Sequence, residues 1–133
     1  MKLVDANIII RFLTNDHKRK ATSCRKLFES VVKGKVALFI TDMTIAEVVW
    51  VLEKVYKCHR QEIRLKIEAI CNTPNLHFQN KELILESIIL YDLRNIDFID
   101  AYHAAFMNKE GIKEIYSYDT HFNRLTELVR LEP

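Results

Sequence analysis

Apolar residues recur along the chain in two rhythms, and the elements they predict alternate. Short continuous runs such as Val36-Ala37-Leu38-Phe39-Ile40 read as buried strands. Longer stretches space their apolar residues by three and four. Ala21, Cys24, Leu27, Phe28, Val31 and Val32 form one such face, with Arg19, Lys26 and Lys33 opposite, which predicts an amphipathic helix. Leu3-Val4 begins a short buried strand, and a helix follows through Ile8–Leu13. Asp16 reads as the N-cap of the amphipathic helix and Gly34 as its stop. After the strand at 36–40, Thr41 or Asp42 caps a helix that runs to about Tyr56. Another helix covers about Arg60–Cys71 and ends ahead of Pro74. Leu76–Phe78 adds a short extended piece before Asn80 caps a helix through Leu93. Asn95 or Asp97 opens a further helix that Gly111 ends. Ile112–Ser117 is a clear strand, a helical turn starts at Thr120, and a last strand lies near Leu128–Leu131. Strands separated by helical crossovers imply a mostly parallel sheet, and ligands of such sheets sit beyond the strands' carboxyl ends.

Four acids interrupt apolar surroundings: Asp5 in LVDAN, Glu47 in TIAEVVWVL, Asp100 in FIDAYHAA and Asp119 in YSYDTHF. A carboxylate among apolar neighbours loses hydration, a cost that a hydrogen bond, a cation or a metal must offset. Glu47 is the only charge between Met43 and Leu52, and Met43, Thr44, Trp50 and Val51, its helical neighbours, offer no positive partner. The pattern leaves it no solvated face; the bland alternative is a snorkelling or locally exposed glutamate. Asp5 and Asp119 each follow a strand, where an N-cap is an equally good reading. Asp97 and Asp100 share a face of a helix start, Asp97 in the capping position and Asp100 inside the helix beside Ala101, Ala104 and Ala105.

Singly these acids say little. Together they place a carboxylate on three sheet-edge elements and one apolar helix, with no adjacent basic residue. Converging carboxylates repel unless a cation lies between them. Oxygen ligands suit Mg²⁺ or Mn²⁺, ions that also take phosphate oxygens, so phosphate chemistry is the expectation. Asn7 and Ser117 are placed either to orient Asp5 and Asp119 or to serve turns and caps. His103 and His121 read as isolated histidines, packed or exposed, rather than as proton-transfer groups. Trp50 and Tyr102 read as core residues rather than platforms for a base.

Length and charge refine this picture. At 133 residues the chain has room for one domain, 1–133, and four Gly and Pro residues among 49% apolar and 29% charged ones exclude linker-rich or disordered classes. Asp5 and Arg11 break the N-terminal apolar stretch before it reaches signal-peptide length, and no uncharged run approaches the roughly 20 residues that span a bilayer, so a cytoplasmic location is expected, with no membrane partner. Cys24, Cys58 and Cys71 have no C-x-x-C spacing and read as reduced thiols. The net charge of +2 gives no support to a uniformly basic nucleic-acid binder. Assigning four of the eighteen acids to one pocket leaves fourteen against twenty basic residues, and Lys18, Arg19, Lys20, Arg25, Lys26, Lys33 and Lys35 make the early third basic. Any one of these reads first as part of a solvated helix face. His17–Lys20 with Arg25 and Lys26 has the character to track a phosphate backbone or to meet an acidic partner.

The motifs, taken in order, resemble those of the PIN-domain ribonucleases and, within them, the VapC-type toxins of bacterial and archaeal toxin–antitoxin modules. Leu3-Val4-Asp5-Ala6-Asn7 is similar to that family's first-strand motif and Thr44-Ile45-Ala46-Glu47-Val48-Val49 to its glutamate-bearing helix. Phe98-Ile99-Asp100-Ala101-Tyr102-His103-Ala104-Ala105 resembles its third motif and Ser117-Tyr118-Asp119-Thr120-His121-Phe122 its fourth. The likeness spans the whole chain, and no expected acid is missing. It implies a three-layer α/β/α sandwich with a mostly parallel central sheet, a homodimer, metal-dependent hydrolysis of RNA and inhibition by a cognate antitoxin protein. On that reading Asp5, Glu47, Asp100 and Asp119 hold one or two Mg²⁺ or Mn²⁺ ions, with Asp97 as a further ligand. Two other classes compete. A phosphoacceptor receiver needs paired acids after its first strand, where Asp5 is followed by Ala6 and Asn7. A non-catalytic PIN-like scaffold that binds RNA or a partner is expected to have lost a ligand, and the set here is intact.

Overall fold

Lys2–Leu3 (β1) pairs with Leu38–Ile40 (β2), and β2 with Leu76–Phe78 (β3), always in parallel; Leu3 faces Phe39 across the first pair and Phe39 faces His77 across the second. Parallel neighbours cannot be joined by a tight turn, so helices carry the chain back between them. In the computed structural model, which describes all 133 residues, these are Ala6–Thr14 (α1), Lys18–Val32 (α2), Asp42–Lys54 (α3) and Arg60–Cys71 (α4). Lys81–Leu93 (α5) and Phe98–Glu110 (α6) follow. Glu114–Tyr116 (β4) then leads through a 3₁₀ turn at Thr120–Arg124 to Val129–Leu131 (β5), which pairs parallel with β4. The fold is the α/β/α sandwich with mostly parallel strands that the sequence predicts. Its strands are hydrogen-bonded in two groups, β1–β2–β3 and β4–β5. They belong to two compact units, Met1–Lys81 and Glu82–Pro133.

In the first unit Ile9, Val31, Ile40, Ile45, Val48, Leu52, Ile63 and Ile67 are fully buried, and α1 packs on α2 and α3. In the second, Ile84, Ile88, Tyr91, Ile96, Ala101, Ala105 and Leu125 are buried, with Tyr91 and Phe98 meeting edge to face. Gly111 ends α6 in the left-handed region at φ 70°, a conformation that suits glycine. The cysteines are free thiols. No helix is long and apolar enough to cross a membrane.

Two local readings change and one alternative is resolved. β1 is not buried: it is an edge of its three-stranded ladder, Leu3 is largely exposed and Val4, just beyond the strand, is buried. Asp16 does not cap α2. His17 does, its Nδ1 accepting the Lys20 N–H at 3.3 Å, because the Asp16 carboxylate is taken by Arg11 at 2.9 Å and the Tyr56 hydroxyl at 2.5 Å. The Tyr56 and Arg11 bonds hold Asp16 below the usual carboxylate range. Thr41, one of the two residues proposed, caps α3 by accepting the Thr44 N–H.

Parallel pairing sends the carboxyl ends of β1, β2 and β3 to one edge of the first unit, which positions Val4-Asp5, Thr41-Asp42 and Gln79-Asn80 together. Asp42 is buried there. Its backbone N–H donates to Gln79 Oε1 at 3.0 Å and its Oδ2 accepts from Asn80 Nδ2 at 2.9 Å, a clasp between the ends of β2 and β3. Its charge also suits the first turn of α3. Asp42→Ala leaves Asn80 without that acceptor and is expected to lower the unfolding free energy by about 1–3 kcal/mol. Urea denaturation measures this, and an unchanged midpoint rules the clasp out as a stabilising element.

Candidate metal centre

The second unit gathers acids by two local rules. A helix after a loop needs an N-cap, and the chain leaving a strand must turn at once. Asp97 stands in the N-cap position of α6, with extended backbone and no capping bond from its side chain, while its carbonyl accepts the Ala101 N–H at 2.9 Å. Asp100, three residues on, projects from the first turn and is half-buried. After β4, Ser117 Oγ accepts the backbone N–H of Asp119 at 3.0 Å. Asp119 then caps the 3₁₀ turn, its Oδ1 accepting the His121 N–H at 2.8 Å. That turn also brings the imidazole round, with Nδ1 3.1 Å from the same Oδ1.

Asp100, Asp119 and His121 each offer a ligand atom within 4.8 Å of the others. The electrostatics of the acidic pair are lopsided. Asp100 is pushed above the usual carboxylate range, first by burial, then by the charge and hydrogen bond of Asp119 and by the charge of Asp97, with His103 opposing. Asp119 is held below that range, chiefly by the His121 backbone N–H. One carboxyl therefore keeps its proton more readily while its neighbour accepts a hydrogen bond from it, as two crowded acids must without a cation between them. Two carboxylates and an imidazole make a donor set that fits a divalent ion, and crowded negative charge is the feature such an ion relieves.

Of the other expected residues, Asp5, Asn7 and Glu47 lie in the first unit and Ser117 in the second. Asp5 caps α1, its Oδ1 accepting the Ala6 N–H at 2.8 Å, so the capping reading is realised at this position. Asn7 is exposed on the first turn of α1 and makes no side-chain bond to Asp5. Ser117 takes the turn role: it fixes the backbone ahead of Asp119 rather than its carboxylate.

Glu47 departs furthest from expectation. It has a solvated face after all, because α3 buries Ile45, Val48, Val49 and Leu52 and turns Met43, Glu47 and Trp50 outward; Met43 is 83% and Trp50 59% exposed. Apolar residues occupy both faces of this helix, so composition hid the polar side. Trp50 is accordingly not core, and Tyr102 is half-buried. His121, which reads in the sequence as an isolated histidine, lies beside Asp100 and Asp119. Its signal was the Asp119-x-His121 spacing at a strand exit, where a turn closed by the aspartate folds the residue two positions on back towards it.

The chain is similar to proteins already known. The PIN domain profile matches residues 2–128. A VapC ribonuclease of Aquifex aeolicus (strain VF5) is 32% identical over 125 residues, covering 94% of this chain and 92% of that one. The crystal structure of Mycobacterium tuberculosis VapC20, a toxin described as cleaving the Sarcin-Ricin loop, aligns over 100% of both chains with 17% identity and a TM-score of 0.44. With the profile reaching from the first strand past the Asp119 turn, this chain belongs to the PIN-domain family and to its VapC branch.

Proposed function

We propose that residues 1–133 form a single nuclease domain, a Mg²⁺- or Mn²⁺-dependent endoribonuclease that hydrolyses RNA phosphodiester bonds as the toxin of a VapBC-type pair. It acts in the cytoplasm as a homodimer and is restrained by a cognate antitoxin protein. The observation that carries this reading is the crowded Asp100–Asp119 pair with His121 beside it, in a chain of the VapC branch. Asp5, Glu47, Asp97, Asp100 and Asp119 form the proposed acidic ligand set, of which Asp5, Glu47, Asp100 and Asp119 carry the reaction.

A divalent ion held by these carboxylates would supply an activated water and offset charge on the phosphate and the leaving oxygen. The side chains supply placement. Asp119 is fixed by a hydrogen bond from the His121 backbone N–H, with the ring Nδ1 3.1 Å from the same oxygen, and by the loop that Ser117 ties down. Asp100 is carried on a helix whose neighbouring Ala101, Ala104 and Ala105 are buried, which anchors its position. His121 adds a nitrogen donor and favours Mn²⁺ over Mg²⁺, since imidazole binds the harder ion poorly.

Incubating purified protein, freed of antitoxin, with structured and unstructured RNA is expected to give cleavage in Mg²⁺ or Mn²⁺ and none in EDTA. Asp5→Asn and Asp100→Asn are each expected to lose about 100-fold or more of that activity. Cleavage that survives EDTA, or both substitutions, excludes the carboxylate–metal mechanism.

The acidic pair also predicts a pH-dependent stability in the metal-free protein. Asp100 binds its proton more tightly folded than unfolded, so its unfavourable contribution is absent at acid pH and grows as pH rises through the unfolded and then the folded value. Asp100→Asn is therefore expected to raise the thermal midpoint above the wild type at pH 7 and to lose that advantage near pH 3. Mn²⁺ at about 100 times its dissociation constant is expected to stabilise the wild type by about 2.7 kcal/mol and the variant less. Equal midpoints at both pH values, with equal Mn²⁺ shifts, contradict an electrostatically crowded metal centre.

A further inference from the structure

A cleft of about 600 Å³ opens between α1 and α2 in the first unit. Its lining is chemically uneven. Ile8 and the buried Cys24 give it an apolar part, Asn7 and Ser23 give it an amide and a hydroxyl, and Arg11, Arg19 and Lys20 make it cationic. Helical spacing explains the convergence: Asn7 and Arg11 are one turn apart on α1, as are Arg19 and Ser23 on α2.

The three cations differ. Arg11 is held by Asp16, whose carboxylate also accepts from Tyr56, so its charge is largely matched. Arg19 and Lys20 are exposed and form no ion pair with any acid. They sit in the first turn of α2, which carries no acidic residue to offset the positive end of the helix. A recess of this volume falls within the roughly 300–1,000 Å³ of small-ligand sites. Apolar lining, an amide, a hydroxyl and two unmatched cations suit a nucleotide: base and sugar inside, phosphate at the rim. The cleft begins with Asn7, two residues beyond Asp5, at the end of α1 that carries that proposed ligand.

We propose that this α1–α2 cleft seats one nucleotide of the RNA strand away from the scissile bond, with its phosphate on Arg19 and Lys20. The proposal rests on the RNA-hydrolysis reading and adds to it a binding site outside the acidic residues. The pair Arg19→Gln/Lys20→Gln removes both charges; Lys33→Gln/Lys35→Gln removes the same charge from exposed positions outside the cleft.

Binding of a labelled single-stranded oligoribonucleotide is titrated in EDTA between about 50 and 200 mM salt. The cleft variant is expected to bind about tenfold more weakly at the low end. Its log K against log salt slope should be shallower by about 1.4, the equivalent of two lost single-strand phosphate contacts. In Mn²⁺, its KM for RNA should rise with kcat within about twofold, and its thermal midpoint should be unchanged. Arg19→Lys/Lys20→Arg should retain the wild-type slope, and the Lys33/Lys35 variant should stay close to it. An unchanged slope in the cleft variant, or an equal change in the Lys33/Lys35 variant, overturns the nucleotide site while leaving RNA hydrolysis intact; the first of these is also the result if the cleft serves an acidic protein segment. Wild-type protein that neither binds nor cleaves RNA overturns both readings.

Discussion

Parallel strands must all be left at the same edge, and that constraint organises each half of this chain. In the first unit, every strand exit is followed by a turn into a helix or loop whose free N–H groups need acceptors. The sequence answers with Asp5 before α1, Thr41 before α3 and Asp42 clasped to Gln79 and Asn80. In the second, Asp119 answers the same need after β4. Capping and metal binding therefore draw on one residue type at one kind of place. An aspartate at a strand exit can do both, because a cap uses one oxygen lone pair of a carboxylate that has several. Asp5 and Asp119 each accept a backbone N–H through Oδ1 and keep further acceptor capacity.

The two strand-exit aspartates differ in their electrostatic company. Asp5 accepts one backbone N–H and sits exposed, in the ordinary arrangement of a cap. Asp119 is also a cap, yet it faces Asp100, and the pair responds as one system, with one acid raised and the other lowered. Folding accepts that repulsion because Ala101, Ala105 and Phe98 are buried beside Asp100 and fix α6 in place. Packing elsewhere thus holds the two acids together, leaving a donor set that fits a divalent cation.

Local signals in the sequence reach as far as local partners do. Arg60–Cys71 and Leu76–Phe78 are predicted with the bounds observed, because periodicity, a following proline and a short β-rich run all agree there. The role of Asp16 escapes local spacing, because Tyr56, forty residues away, competes for its carboxylate. The exposure of Glu47 and Trp50 escapes the binary pattern, which takes apolar to mean buried, because α3 carries Met43 and Trp50 on its outer face. The company of His121 is hidden in the sequence because a turn supplies its partner, and that turn's geometry is set by Asp119 closing it. Periodicity reports which residues share a face; it does not report which long-range partner claims a polar group.

A net charge of +2 is then a sum that conceals its terms. Acids concentrate where α6 begins and where β4 ends, while α2 and the loop after it carry seven Lys and Arg residues from Lys18 to Lys35 against Glu29 alone. A protein that handles a polyanion through carboxylates faces opposing demands, since the groups that bind a metal repel the substrate's phosphates. Placing the cations on different elements from the acids answers both. The acidic pair can attract an ion without being neutralised by a neighbouring lysine, and Arg19 and Lys20 stay free of acidic partners. Had the charges been interleaved, local ion pairs would have consumed both sets, as Asp16 consumes Arg11. Separation of charge, rather than its total, is what makes this composition compatible with RNA.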